Sequence, residues 1–455
     1  MGRPLAFVIA VVGAVLAVAL LDNGRETDPV TATLALEEPA AIAPADPGEL
    51  GEFGGDSLTE CLTSVGPPES TPPLPELTTA GVEKTANRVE ELRELRFDDP
   101  VDVRFLTPAG MSREISGLID EEADPGLLRW EGEALELLGA IPPGSDLLEL
   151  SREALDSQVL GLYVPETKEL LAVKAGKAGA IEALTVAHEI DHALTDDALG
   201  LPLPERVRPG RGDEDLAAQA LVEGDATLLM SIYALRYIPL EDLGALDDPS
   251  LAAGEDALEK LPYILEAQLL FPYDAGVEYA CSLFLEGGWE AVDRAYADPP
   301  DSTVELLDPA LGPVELVEPP KLPGLTSPWR QVLSDQIGAA ELSWLFEAPG
   351  DDEEAAIPDP DGAAADWRGG AIELWERSSD RALSISLAQS PDGMLCEALV
   401  AWYGAANPAS ELSREGTTTA FAEPGRFAAI DCAGSEIRLA IGPDAATAQR
   451  LVAPE

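Results

Sequence analysis

Ala187-His188-Glu189-Ile190-Asp191-His192-Ala193-Leu194 sits in a run whose apolar residues, Ile181, Leu184, Val186, Ala187, Ile190, Ala193 and Leu194, recur at helical intervals. The spacing predicts a helix. His188 and His192 are four residues apart, so one turn stacks both imidazoles on one face. That geometry suits two ligands of a tetrahedral zinc ion, with Glu189 beside them as general base. The 455-residue chain has only 2 histidines, and both are here. At that frequency a chance H-E-x-x-H is about a one-in-a-thousand event. Asp191, charged where such motifs usually carry an uncharged residue, is expected to face solvent.

Zinc needs a third protein ligand and an open fourth position. No third histidine exists, so the ligand is a carboxylate or a thiolate. A second long helix is predicted from Asp213, whose acidic start suits the helix dipole. Glu223 lies inside it, in Leu221-Val222-Glu223-Gly224-Asp225-Ala226, and is the favoured third ligand. Gly224 would let a neighbouring helix approach closely. Glu214, Asp215 and Asp225 are competing acids. Asp225 is alternatively a hydrogen-bond partner for the free nitrogen of a metal-bound histidine. A thiolate ligand, Cys61, would make a deformylase-like hydrolase, a reading that chain size and surroundings disfavour. Tyr273 and Tyr279 are the tyrosines considered for hydrogen bonding to a tetrahedral oxyanion, with Tyr273 preferred.

These motifs resemble those of the gluzincins, zinc peptidases in which H-E-x-x-H is followed by a glutamate on a later helix. More narrowly, the chain is similar to secreted bacterial metallopeptidases carrying H-E-x-x-H-A-L and then A-L-V-E-G-D-A. Further matching pieces are Gly161-Leu162-Tyr163, Phe271-Pro272-Tyr273, Gly287-Gly288-Trp289, Ala295-Tyr296, Ser302-Thr303 and the stretch from Ala365 to Gly370. The resemblance spans roughly residues 85–455. It implies His188, His192 and Glu223 as ligands, Glu189 as catalytic base, and a peptide or protein substrate. The chain departs from the pattern at Leu306-Leu307-Asp308, where those relatives often carry a histidine, and at Asp196-Asp197. The departures motivate the alternative of a catalytically degenerate zinc-holding module at the cell surface.

Composition narrows the setting. The net charge of −57 repels nucleic acid and anionic lipid, so no nucleic-acid partner is expected. Residues 1–21 combine Arg3 with an apolar run, Leu5 to Leu21, and read as a signal peptide or an uncleaved N-terminal membrane anchor. The acidic remainder is therefore expected to be secreted or held at the cell surface. Cys61, Cys281, Cys396 and Cys432 lack C-x-x-C spacing and suit two disulfides in an exported chain, with Cys396–Cys432 the first expectation.

The expected fold class is α+β: a zincin-like, mainly helical metallopeptidase domain with a small sheet, plus a small C-terminal α+β unit. Residues 22–80 are read as an acidic Pro/Ala-rich disordered linker, with Cys61 hinting that its end is pinned to the folded body. Residues 81–325 form the metallopeptidase domain and 326–455 the accessory region. Residues 159–164 and 169–173 give a hairpin signal just before the H-E-x-x-H helix, a strand to which an extended peptide could add. A helix is expected over 331–345, then strands over 371–376, 382–387, 427–430 and 437–441, with helices over 394–403 and 445–452.

Overall fold

The computed structural model describes residues 55–66, 71–155, 159–174, 179–203, 210–239, 242, 258, 260–309 and 312–453. The expected N-terminal signal or anchor and the linker through residue 54 lie outside the described residues. The chain is mixed α+β, with one small and one larger sheet.

The helical body begins with α1 (Gly55–Val65) and α2 (Thr79–Arg93). α1 falls where the linker was expected. Leu58, Cys61 and Leu62 are buried in the core, and Cys61 is disulfide-bonded to Cys281. Those apolar residues at helical spacing, together with the covalent tie, explain why this stretch folds despite its acidic surroundings. β1 (Asp102–Leu106) leads through α3 (Pro108–Glu122), α4 (Pro125–Leu138) and α5 (Leu147–Leu155) to the hairpin β2 (Gly161–Val164) and β3 (Glu169–Val173). The three strands form one sheet, order β1-β3-β2, with β1 parallel and β2 antiparallel to β3.

Next come the H-E-x-x-H helix, α6 (Ala180–Ala198), and the 26-residue α7 (Gly212–Tyr237). The Glu182 carboxylate accepts from the Gly179 N–H at 2.8 Å and closes the start of α6. α7 opens on Asp213, Glu214 and Asp215, then is buried on all sides from Leu216 to Leu235. α8 (Tyr263–Gly287) crosses it glycine on glycine. A Cβ on Gly224 would stand 2.0 Å from the Gly276 carbonyl oxygen, and one on Gly276 2.2 Å from that of Ala220. The close approach expected at Gly224 is thus present. α9 (Trp289–Ala297) and α10 (Val304–Leu307) complete the body.

In the C-terminal region, residues 331–336 are not helical as expected. Arg330–Gln336 is β4, and the helix starts after Gly338 as α11 (Ala339–Glu347). Pairing with β5 supplies β4's hydrogen bonds, and Glu341 caps the Gly338 N–H, so the helix begins there. After α12 (Pro360–Ala364), β5 (Trp367–Arg377), β6 (Asp380–Gln389), β7 (Glu411–Glu415), β8 (Thr418–Glu423), β9 (Arg426–Ala433) and β10 (Glu436–Gly442) join β4 in one antiparallel sheet, order β4-β5-β6-β10-β9-β8-β7. α13 (Leu395–Ala406) and α14 (Ala445–Val452) pack on it. Cys396 and Cys432 form the expected disulfide. Side chains alternate by face, as strand geometry requires. Ile437, Leu439 and Ile441 join the core that continues into the helical body, whereas Ala440 meets Leu451 under α14. The accessory region therefore shares its main core with the body.

Candidate metal centre

α6 and α7 bring three ligand atoms together. His188 Nε2 lies 3.0 Å from His192 Nε2 and 3.2 Å from Glu223 Oε2; His192 Nε2 is 3.3 Å from the same oxygen. Exposures are 0% for His188, 8% for His192 and 4% for Glu223. This buried trio can hold a metal ion. Metal–ligand bonds of about 2.0–2.2 Å at a tetrahedral angle place ligand atoms about 3.3–3.6 Å apart. The triangle is close to that size. Hydrogen bonds alone satisfy it poorly: a single proton cannot serve all three edges, and two N–H groups would oppose each other across 3.0 Å. A cation at the centre satisfies all three lone pairs at once. Two imidazoles with one carboxylate suit a divalent transition metal, zinc and iron(II) both using such a set.

The charges within the trio are strongly linked. Burial pushes the His192 pKa down, but the Glu223 carboxylate outweighs it and raises it to about 9. Burial pushes Glu223 up, yet His192 and His188 hold it down at about 2. A bound metal ion would take over the proton's role in this pairing.

Glu189 is 3% exposed, and burial raises its pKa. The Tyr163 N–H on β2 donates to its Oε2 at 2.5 Å. β2 is an edge strand, as the hairpin predicts, but residues 161–164 are all buried. A Cβ on Gly161 would lie 2.7 Å from Thr185 Cγ2 and 3.1 Å from Glu189 Cγ. This edge is closed against α6, so it supports Glu189 and offers no free rail for an added peptide strand. Tyr163 also donates its hydroxyl to Asp196 at 2.6 Å, which ties the same strand to the end of α6.

Tyr273, on α8, is 1% exposed, and its ring centroid lies 6.3 Å from that of His188. Its hydroxyl has no hydrogen-bond partner among the described residues. Burial, then the Glu223 and Glu189 charges, hold its proton in place. It is therefore a buried donor beside the trio, turned toward the Glu223 carboxylate. Tyr279 is not brought to the trio; Glu305 and Asp298 are the charges near it, and burial raises it to about 12.

Asp191 does not face solvent. It is fully buried, 4.0 Å from the guanidinium of Arg93, a residue that sequence reading passed over. Arg93 is itself fully buried. It reaches Asp225 Oδ2 at 3.0 Å and Asp293 at 2.7 Å, and stacks 4.5 Å over the Trp289 ring. Tyr296 donates to Asp225 Oδ2 at 2.8 Å. Asp225 thus serves Arg93 and Tyr296, not a histidine nitrogen, and His188 Nδ1 has no partner among the described residues. Burial, then Asp225, raises the Asp191 pKa well above the carboxylate range despite Arg93. The available signal was a lone arginine in the last turn of α2, indistinguishable in sequence from a surface charge.

The competing third ligands lie elsewhere. Cys61 is consumed in its disulfide, Asp225 holds Arg93, Glu214 pairs with Arg211 at the start of α7, and Asp215 is not part of the trio. Searches against protein families, curated proteins and solved structures return no match to this chain.

Proposed function

We propose that the chain is an exported zinc-dependent peptidase of the H-E-x-x-H…E type, with His188, His192 and Glu223 as ligands. The convergence of those three ligand atoms from two helices is the observation that carries this reading. When bound, zinc supplies a Lewis acid and an acidified water. Glu189 removes a proton from the attacking water and returns it to the leaving amine. Burial raises its pKa, which helps it hold the proton it takes, and the Tyr163 N–H fixes its orientation. Tyr273 donates to the oxyanion as it forms. Export is supported by the apolar run from Leu5 to Leu21 and by the two disulfides. Among the described residues no helix is long and apolar enough to cross a membrane.

A second reading, a closed zinc-holding module without catalysis, is favoured by one observation: none of the trio is more than 8% exposed. One experiment separates the two. The purified full chain is assayed for zinc by elemental analysis and for cleavage of a broad peptide library, beside Glu189→Gln. The peptidase reading expects one zinc per chain in both proteins and hydrolysis about 10²–10⁴-fold slower in the variant. Zinc without any cleavage supports the closed module. Turnover retained by Glu189→Gln removes the base, and a chain without zinc removes both readings.

A further inference from the structure

A cavity of about 150 Å³ lies in the groove between the N-terminal halves of α7 and α8, bordered by β4 and α11. α7 contributes Leu216 and Gln219, α8 contributes Ile264 and Gln268, and β4 and α11 contribute Asp335 and Glu341. Gln219 stands four residues before Glu223, and Gln268 five before Tyr273. At the helical rise the cavity therefore begins about 6–8 Å along the groove from the metal centre. Both helices carry the centre and the cavity on one shared seam, tightened where Gly224 meets Gly276.

The lining is mostly apolar, with a few polar groups. Gln219 is 4% exposed, yet its amide has no hydrogen-bond partner among the described residues. It lines the cavity, so the amide is free to bond whatever fills that space. Among the described residues the Asp335 carboxylate accepts only backbone N–H groups, from Gly210 at 3.1 Å, Gly212 at 3.3 Å and Gln336 at 2.8 Å. Glu341 accepts from Gly338 N–H at 2.6 Å. Among the described residues no cationic side chain faces either acid. Burial accordingly holds both carboxyls above their ordinary range, Glu341 at about 8 beside Asp213.

We propose that this cavity is the specificity pocket for a basic side chain of the substrate. Apolar walls take the methylene stem of an arginine or lysine, and the Gln219 amide with Asp335 and Glu341 takes its cationic head. The assignment rests on the peptidase reading and narrows it to substrates with a basic residue near the cleaved bond. The net charge of −57 draws such peptides toward the protein.

The test uses the zinc-loaded full chain and blocked alanine peptides carrying one arginine at each position in turn, beside the same set with citrulline, its neutral isostere. Calorimetry reads affinity, and a separate assay reads cleavage. The best arginine peptide is expected to bind about tenfold or more tightly than its citrulline twin. Asp335→Asn, which keeps an oxygen for the Gly210 and Gly212 amides, and Gln219→Leu should each shrink that gap to about threefold or less. Zinc content reports that the variants are folded. Equal binding of the twins by the wild type overturns the pocket, as does a gap that survives both substitutions. Cleavage of both twins at one rate also overturns it while leaving the peptidase reading intact. An arginine peptide bound preferentially but never cut keeps the pocket and sinks the peptidase.

Discussion

The helical body and the C-terminal sheet satisfy their polar side chains in opposite ways. In the body the partners are distant in sequence: Arg93 and Asp225 are 132 residues apart, Arg88 and Tyr233 145, Thr303 and Asp213 90. In the sheet most are near one another in sequence, apart from Arg381 and Arg426, which reach Glu133 and Leu137 of α4. Asp431 accepts from Thr417 and Thr418 across one hairpin, Arg377 pairs with Asp380, Arg438 with Glu436, and Asp444 caps Thr447. A buried charge is costly unless it is paired. The body keeps such groups around its candidate metal centre and holds them with contacts that exist only once several helices have docked. Apart from its two arginine contacts to α4, the sheet settles its polar groups near at hand and builds its cores mainly from Leu, Ile, Ala and aromatic residues.

The contrast is broken most directly at its arginines. Arg93→Met strands Asp225, Asp293 and Asp191 around one lost cation. Removing one partner of a buried network costs about 3–5 kcal/mol. Arg377→Met removes a pair whose side chains are 32% and 40% exposed, worth about 0–1 kcal/mol. Urea unfolding of the two variants should differ by several-fold in lost stability. Arg93→Met should also retain less zinc, because Asp191 and Asp225 flank the ligands. Equal losses would mean that the buried network is not what holds the body together.

Helix packing gives a smaller effect of the same kind. Gly224→Ala drives a methyl into the Gly276 backbone, and overpacking of this sort costs about 1–3 kcal/mol. Gly404, on α13, has only the Phe421 ring within reach, 3.6 Å from an added Cβ. Gly404→Ala should be neutral or stabilising by about 0.5–1 kcal/mol through helix propensity. Opposite signs in thermal unfolding are the expected outcome. A tolerated Gly224→Ala would show that α7 and α8 can separate without disturbing Glu223.

The same division explains what could be read from the chain. The ligand spacing on α6, the hairpin before it, the close approach at Gly224 and most C-terminal strands were legible, because each is a local periodicity or turn. Glu223 was nameable because zinc demands a third ligand and histidine had run out. Arg93 was invisible: nothing within α2 reveals that the residue will be swallowed by α6, α7 and α9. The same holds for Asp191, misplaced on the surface because the arginine that meets it comes from another helix. β4 was mistaken for part of a helix because Arg330–Gln336 draws its conformation from pairing with β5. Residues 55–65 were assigned to the linker because their composition is acidic, whereas the Cys61–Cys281 tie and three buried side chains decide otherwise.

Helix caps are local in both regions, so there the contrast should vanish. Thr107 accepts from the Gly110 N–H at 3.1 Å at the start of α3, and Asp444 from the Thr447 N–H at 2.8 Å at the start of α14. Thr107→Ala and Asp444→Ala should each cost about 1 kcal/mol at neutral pH. Acid separates them. The Thr447 amide and hydroxyl hold the Asp444 carboxyl below its ordinary 3.8. A carboxyl depressed by folding stabilises above its unfolded pKa, and that contribution is lost as pH falls through the folded value. The deficit of Asp444→Ala should therefore shrink as pH drops below about 4, while that of Thr107→Ala, which has no proton to gain, stays constant. Thermal unfolding of wild type and both variants from pH 7 down to pH 3 reads this directly. A Thr107 deficit that also fades in acid would mean that the helical body is already loosening there, and that its long-range charge pairs fail before the local ones do.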